Sequence, residues 1–462
     1  MNAEAEVREM EAAVLRPVTE RSRTFILFVL AAVAVILWAL YAWSVQLRNG
    51  LEVTGMRNHV SWGFYITNFV FWIGISHAGT FISAVLRLTG VGWRTPVVRM
   101  AEFMTVGALL VGGAMPVVDL GRPDRILNLI YHGQLNSPIL WDLLSVTSYF
   151  TGTLIYLYLP LIPDLATCRD RLSDKVGPLR RWFFHTFSLG WQGTPEQWRL
   201  LNKGIRAMCM MIIAVMISVH TVVSFIFAMT WRAGWHSTIF GPYFVIGAIY
   251  SGIAAVVTEM WIFRKTFRFQ KYITPNHFRW LGNILLAAGL VYFYFTSAEY
   301  ITAVYKMSEH ELGLLQALFH GPYSGYFWSY WIGGMAIPLL LLSLPRTRNM
   351  LGIGIASILI NIFMWIKRYF IVIPSMAVPL QPTPWGSYSP TWVEISIVAA
   401  TFAGFALIVG TLGKSVPLIP MWEMAEELEI ESDARDLAER KRSAPRPAGP
   451  VPGYAPGGGA GR

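Results

Sequence analysis

Apolar residues in this chain come in long unbroken runs, not in the alternation of a half-buried surface, and that pattern predicts helices that are apolar all round. Runs of roughly 18 to 27 residues, bounded by Arg, Lys, Pro or Gly, recur ten times. They fall at about residues 24–46, 61–86, 96–118, 139–161, 205–230, 241–263, 276–304, 326–344, 350–373 and 391–413. At about 1.5 Å of rise per residue, each can cross a hydrocarbon core about 30 Å thick. The expected fold is an all-α polytopic membrane protein with about ten transmembrane helices, referred to as spans 1 to 10. The first run is followed by Gln46, Leu47 and Arg48 instead of a small-residue cleavage site, so it reads as a retained anchor. Residues 162–204 read as the longest internal loop, and 421–442 as a charged amphipathic stretch before a Pro/Gly tail expected to be disordered.

A weak internal symmetry runs through the pattern. Gly63-Phe64-Tyr65 opens span 2 and Gly241-Pro242-Tyr243 opens span 6, while His132-Gly133 precedes span 4 and His320-Gly321-Pro322 precedes span 8. This predicts a parallel repeat: residues 58–230 (spans 2–5) and 231–373 (spans 6–9) as two four-helix bundles, with spans 1 and 10 as flanking additions. The plainer alternative is that Gly and aromatic residues collect at membrane interfaces.

Composition agrees with the membrane assignment: 54% apolar residues, 14% charged and a mean hydropathy of +0.47, against about a quarter charged in soluble domains. A DNA-binding protein, a secreted scaffold and a cytosolic metalloenzyme are excluded. The 37 Lys+Arg outnumber the 27 Asp+Glu, but their distribution explains the excess without nucleic acid. With the N-terminal segment (1–23) inside, 29 of the 37 fall on its side and eight on the other. Cationic loops mark the cytoplasmic face, so both the N-terminal segment and the tail (414–462) are expected in the cytoplasm of a bacterial inner membrane. Two cysteines, Cys168 and Cys209, cannot ligate an iron–sulfur cluster or a structural zinc.

Ionisable side chains at membrane depth are costly and mark functional candidates. Here they are His77, Glu102, Asp119, Asp142, His220, Glu259, Glu299, Lys367, Arg368 and Glu394. The densest stretch runs from Pro116 through Asp119-Leu-Gly-Arg-Pro123 to Arg125, then Asn136 to Asp142. An apolar helix ends in Asp119, turns at Gly121 and Pro123 and restarts at Pro138, which brings Asp119, Asp142 and Arg122 to one membrane face. A carboxylate there can take a proton from a lipid-phase hydroxyl and pass it to water; the plainer reading is an Asp–Arg pair tying two helix ends together. Tyr65 and Asn68, one turn apart, can face one pocket. Glu299 and Lys367-Arg368 lie at similar depth and suggest an intramembrane ion pair, structural or part of a proton path. His77 precedes Ala78, Gly79 and Thr80, small residues that admit a close helix; it reads either as a packing histidine or as a station on a proton path. Counting rise from the helix ends puts His77 and His220 about 9 Å apart in depth, a poor arrangement for two axial haem ligands.

The "DLGRP" of Asp119–Pro123, the "SPILWD" of Ser137–Asp142 and the "WGFYI" opening span 2 resemble the NrfD/PsrC family of membrane subunits of quinone-linked iron–sulfur molybdoenzymes. "GMRNHVSWGFYITNFVFWIGISHAGT", from Gly55 to Thr80, is closer still to the ActC-type subunits of alternative complex III. The resemblance covers roughly residues 24–413. It implies a quinol- or menaquinol-oxidising subunit with no haem, metal or iron–sulfur cluster of its own. Its implied neighbours are an extracytoplasmic iron–sulfur protein, haem c subunits and a sister subunit of ActF type. With the residue reading, it gives Asp119 and Asp142 as proton acceptors with His77, and Tyr65, Asn68 and Arg122 around the quinol. Glu102, His220, Glu259, Glu299, Lys367 and Arg368 become stations of a proton path. The rival readings are a secondary transporter with a parallel repeat, opposed by the lack of paired mid-membrane Gly/Pro breaks, and a structural anchor for peripheral redox subunits.

Overall fold

The computed structural model describes residues 3–443 apart from residues 21, 236 and 382; the expected Pro/Gly tail lies outside the described residues. The helices are α1 (Ala3–Thr19), α2 (Arg23–Asn49), α3 (Phe64–Thr89), α4 (Thr95–Asp119), α5 (Asn128–Tyr131), α6 (Pro138–Leu172), α7 (Pro178–Phe187) and α8 (Pro195–Ala228). They continue with α9 (Phe240–Thr266), α10 (Pro275–Lys306), α11 (Glu309–Phe319), α12 (Ser324–Ser329), α13 (Ile337–Ser343), α14 (Met350–Ala377), α15 (Trp392–Ser415) and α16 (Met421–Ser443). Ten helical stretches are long and apolar enough to cross a membrane, the eighth running from Ser324 to Ser343 through α12 and α13.

The expected 162–204 loop is largely helical. α6 continues past Pro160 and Pro163 to Leu172, and α8 begins at Pro195, nine residues or more before its apolar run. Thr194 explains the second extension: its hydroxyl accepts from the Gln197 N–H, completing a capping box in front of Pro195. Apolar length marks the membrane-buried part of a helix and says nothing of the part projecting beyond it. The eighth span carries a π-helical turn at Tyr330–Ala336, where a Cβ on Gly333 would come within 2.1 Å of the Phe363 ring. It is a mid-membrane irregularity that the apolar pattern does not reveal.

α3 is the central helix, buried along most of its length and packed against α4, α8, α9 and α14. Its neighbours approach closely because small residues line the crossings. A Cβ on Gly252 of α9 would meet the Ala78 Cβ at 1.9 Å, and one on Gly79 would meet Thr105 Oγ1 at 2.3 Å. α4 also packs on α6 and α6 on α8; α9 packs on α10 and α14; α2 packs on α15. α1 lies against α15 and α16 at the face that carries both terminal segments. That face is called the terminal face below, and the opposite one the Asp119 face.

Candidate functional site

Two groups of buried polar residues stand near the Asp119 face, and a run of aromatic and hydroxyl side chains lies deeper in the protein. The first surrounds the end of α4. Asp119 and Asp142 each have one carboxylate oxygen buried without a hydrogen bond. The acid that acts on Asp119 is Glu394 of α15, not Asp142. Glu394 is fully buried and accepts from the Gly55 N–H at 2.6 Å, the Tyr388 hydroxyl at 2.6 Å and the Thr391 N–H at 3.0 Å. Gln46, at the end of α2, donates to the carbonyl of Val118 at 2.9 Å and accepts from the Tyr65 hydroxyl at 2.7 Å. Tyr65 therefore reaches the Asp119 group through a glutamine that stands, in the sequence, at the boundary of an apolar run.

Two expectations about this group need correction. Arg122, expected around the quinol, turns outward instead: its guanidinium forks onto Asp124, with Nε–Oδ1 at 3.1 Å and Nη2–Oδ2 at 3.0 Å. Gly121, at φ +67°, turns the chain out of the membrane, and more than half of both side chains is exposed. These hydrogen bonds hold the Asp124 carboxyl below its ordinary range. Tyr65 and Asn68, expected to face one pocket, bond different partners. Asn68 donates to Thr401 at 2.8 Å and accepts from Trp365 at 3.2 Å, so its amide ties α3 to α15 and α14. Asp119 and Asp142 sit at the same face, yet no hydrogen bond joins them or either of them to Arg122.

The second group belongs to α9, α10 and α14. Lys367 is 1% exposed, with its ammonium over the rings of Phe370, Tyr300, Tyr243 and Tyr330 at 4.6 to 5.5 Å. It donates to the Tyr300 hydroxyl at 3.1 Å. Among the described residues no direct salt bridge joins it to Glu299, contrary to the expected contact pair. The two instead line one cavity of about 60 Å³, room for a few bridging waters. Arg368 faces the other way, over the Phe244 ring at 5.0 Å. A Cβ on Gly247 would come within 3.3 Å of its Nη2, an atom that is buried and without a hydrogen bond.

Deeper in α3 and α8 stand His77 and His220. Their rings are in contact, centroids 5.0 Å apart, which overturns the depth argument: α3 and α8 do not start from one plane, so counting rise from their ends misplaces them. His77 Nδ1 lies 2.5 Å from the Ile73 carbonyl. That oxygen can only accept, so Nδ1 carries the proton and Nε2, buried without a partner, is the basic nitrogen. Both His220 nitrogens are likewise unpartnered.

From His77, stacked on Tyr149 at 4.3 Å, a ladder of hydroxyls descends toward the terminal face. Thr80 meets the Tyr149 hydroxyl at 2.5 Å; Ser83 donates to Glu102 at 2.8 Å and meets Tyr156 at 2.8 Å. Residues 76, 80 and 83 of α3 and 149, 153 and 156 of α6 have three-to-four spacing within apolar helices, a signal that the sequence carries and that a search for charges alone passes over. The ladder ends in a buried charge cluster. Arg87 bridges Glu102 and Glu423, Arg94 reaches Glu423 at 3.4 Å, and Arg99 bonds Asp164 at 2.9 Å. Asp164 and Glu423 fall in the expected loop and the charged stretch, and Arg99 in the first turn of an expected span; all three are buried. Glu102, His220, Lys367, Arg368 and Glu299 thus fall along one interior band. Glu259 does not join it: both its oxygens lack hydrogen bonds and it lines a separate cleft.

This is a polytopic helical membrane protein with a charged and hydroxylic interior. Residues 52–379 match the family model described as polysulphide reductase, NrfD, and the chain belongs to that family. A protein of Halobacterium salinarum described as a membrane subunit of dimethyl sulfoxide reductase is 29% identical over 89% of this chain and 94% of its own. The Hdr-like menaquinol oxidoreductase integral membrane subunit of Archaeoglobus fulgidus is 24% identical over 87% and 95%. The menaquinone reductase integral membrane subunit of Nitratidesulfovibrio vulgaris is 25% identical over 83% and 89%.

Proposed function

We propose that this chain binds and oxidises menaquinol, or another quinol, near the Asp119 face, as the integral subunit of a multisubunit electron-transfer complex of the alternative complex III type. Menaquinol and menaquinone appear in the names of two of its relatives. The observation that carries the reading is Asp119 itself: an acid at the membrane end of α4, one oxygen buried and unbonded, beside Glu394 and Tyr65. Oxidation of one quinol releases two electrons and two protons. Asp119 and Asp142 take the protons, and the electrons leave through an iron–sulfur subunit docked over the Arg122–Arg125 loop, then through haem c subunits. The membrane part is completed by a sister protein of NrfD type. The terminal face is cytoplasmic in this reading, in keeping with the basic excess on that side. The band from Glu299 and Lys367 through Arg368, His220 and His77 to Glu102 serves proton movement between the two faces.

Asp119→Asn and Asp142→Asn test the reading. Each keeps shape while removing the proton-accepting charge, and a general base is worth about 10²-fold or more. Quinol oxidation by the assembled complex should fall at least about tenfold in each. Normal turnover in both assembled variants would move the site elsewhere, and lost assembly with normal residual turnover would leave the acids a structural part.

A further inference from the structure

In the half of the membrane nearer the terminal face, a cleft of about 720 Å³ lies among α2, α3, α9, α14 and α15. Its walls are Phe25, Phe28, Phe71, Trp72, Phe402 and Phe405. Into this aromatic space open atoms with nothing to bond. Glu259 is 7% exposed with neither carboxylate oxygen hydrogen-bonded. Asn361, on the same cleft, spends its amide N–H on Thr258 Oγ1 at 3.2 Å and leaves its Oδ1 without a donor. Buried polar atoms are seldom left so; the Asn361 Oδ1 can only accept, and the Glu259 carboxyl accepts through at least one oxygen whether or not it carries a proton. The complementary ligand is therefore an apolar, ring-shaped body carrying hydroxyl donors and small enough for a cleft of ordinary ligand size.

We propose that the cleft is a second quinol-binding site. Hydroquinone hydroxyls donate to Glu259 and Asn361 Oδ1, the ring packs among the aromatic walls, and the isoprenoid tail runs out past Phe25 and Phe28. The proposal rests on the reading that this chain handles quinol. Glu259 stands 19 residues along α9 from Phe240, roughly 28 Å below the Asp119 face, so the site holds quinol and performs no redox step. An anionic phospholipid fits less well. Its phosphate would meet the rim cations Arg16 and Lys414, already bonded to the Phe267 and Glu20 carbonyls, and its chain would lie against the open carboxylate.

The test is photolabelling of the purified, assembled complex with an azido-naphthoquinol bearing a short isoprenoid tail, with labelled peptides identified by mass spectrometry. Label is expected within 255–268 and 402–414 as well as at the Asp119 face. Glu259→Leu should cut cleft labelling at least about tenfold. Ala406→Trp, which fills the cleft, should do the same while leaving the quinol oxidation rate within about twofold. Label at the Asp119 face alone overturns this site and leaves the proposed function standing. Label in the cleft alone overturns the Asp119 site instead, and label at neither overturns both. Cleft label insensitive to both variants, or a co-purified phospholipid that Ala406→Trp displaces without any change in labelling, also overturns the proposal. Should the tryptophan variant fail to assemble, Glu259→Leu decides.

Discussion

The two polar groups near the Asp119 face answer the problem of membrane burial in opposite ways. Around Asp119 the buried charges are all acids, Glu394 is held by backbone and hydroxyl donors, and the nearest loop arginine has been spent on Asp124 outside. In the second group the cation is innermost, wrapped in four aromatic rings, with its acid across a small cavity. The first arrangement leaves one carboxylate oxygen of Asp119 and one of Asp142 buried without a hydrogen bond. The second sets a cation and an acid across one small cavity. Matching Gly-X-Tyr openings therefore led to two different interiors, because the tyrosines found different partners: Gln46 for Tyr65, Thr296 and the Tyr292 ring for Tyr243.

That contrast can be broken by neutralising charges one at a time. Lys367→Met strands Glu299, and losing one partner of a buried pair costs about 3 kcal/mol or more; the unfolding midpoint of the purified complex should fall markedly. Adding Glu299→Gln should recover most of that loss, since a buried pair replaced as a unit is close to neutral. A double variant no better than the single would show that the two charges are not coupled. Asp119→Asn, by contrast, removes a charge that no cation compensates, so stability should change by less than about 1 kcal/mol even as turnover falls. The smallest effect belongs to Arg122→Gln, which breaks an exposed pair and should leave the midpoint where it was. The Asp124 carboxyl is held low by its Arg122 bonds, so whatever this pair contributes is present at neutral pH and fades as acidification protonates that carboxyl. A large destabilisation by Arg122→Gln would mean that the loop is bonded more deeply than its exposure indicates.

The spans were legible because a membrane demands an apolar length, and nearly every helix appears within a few residues of its run. What the apolar runs concealed is the projection of α6 and α8 beyond the membrane and the π turn at Tyr330–Ala336, since neither leaves a mark in hydropathy. The candidate acids were legible as isolated charges in oil. Their partners were not: Gln46 looked like a boundary, Glu394 had no visible role, and the meeting of His77 with His220 depends on helix offsets that no count along one helix supplies. Asp164 was misplaced for a related reason, because a charge near the end of an apolar run is indistinguishable from a loop charge until its counter-ion is located.

Glu423 carries a consequence for the order in which the molecule is completed. It supplies the carboxylate that Arg87 and Arg94 share, yet it lies 336 residues after Arg87, beyond all ten spans. At about 5–20 residues per second, synthesis takes roughly 20 to 70 s to deliver it. Throughout that interval Arg87 has Glu102, 15 residues on, and Arg94 waits for its anion. The last helix of the described chain thus neutralises a charge laid down about 330 residues earlier, and a chain released before residue 423 would carry every span and still leave Arg94 without its carboxylate.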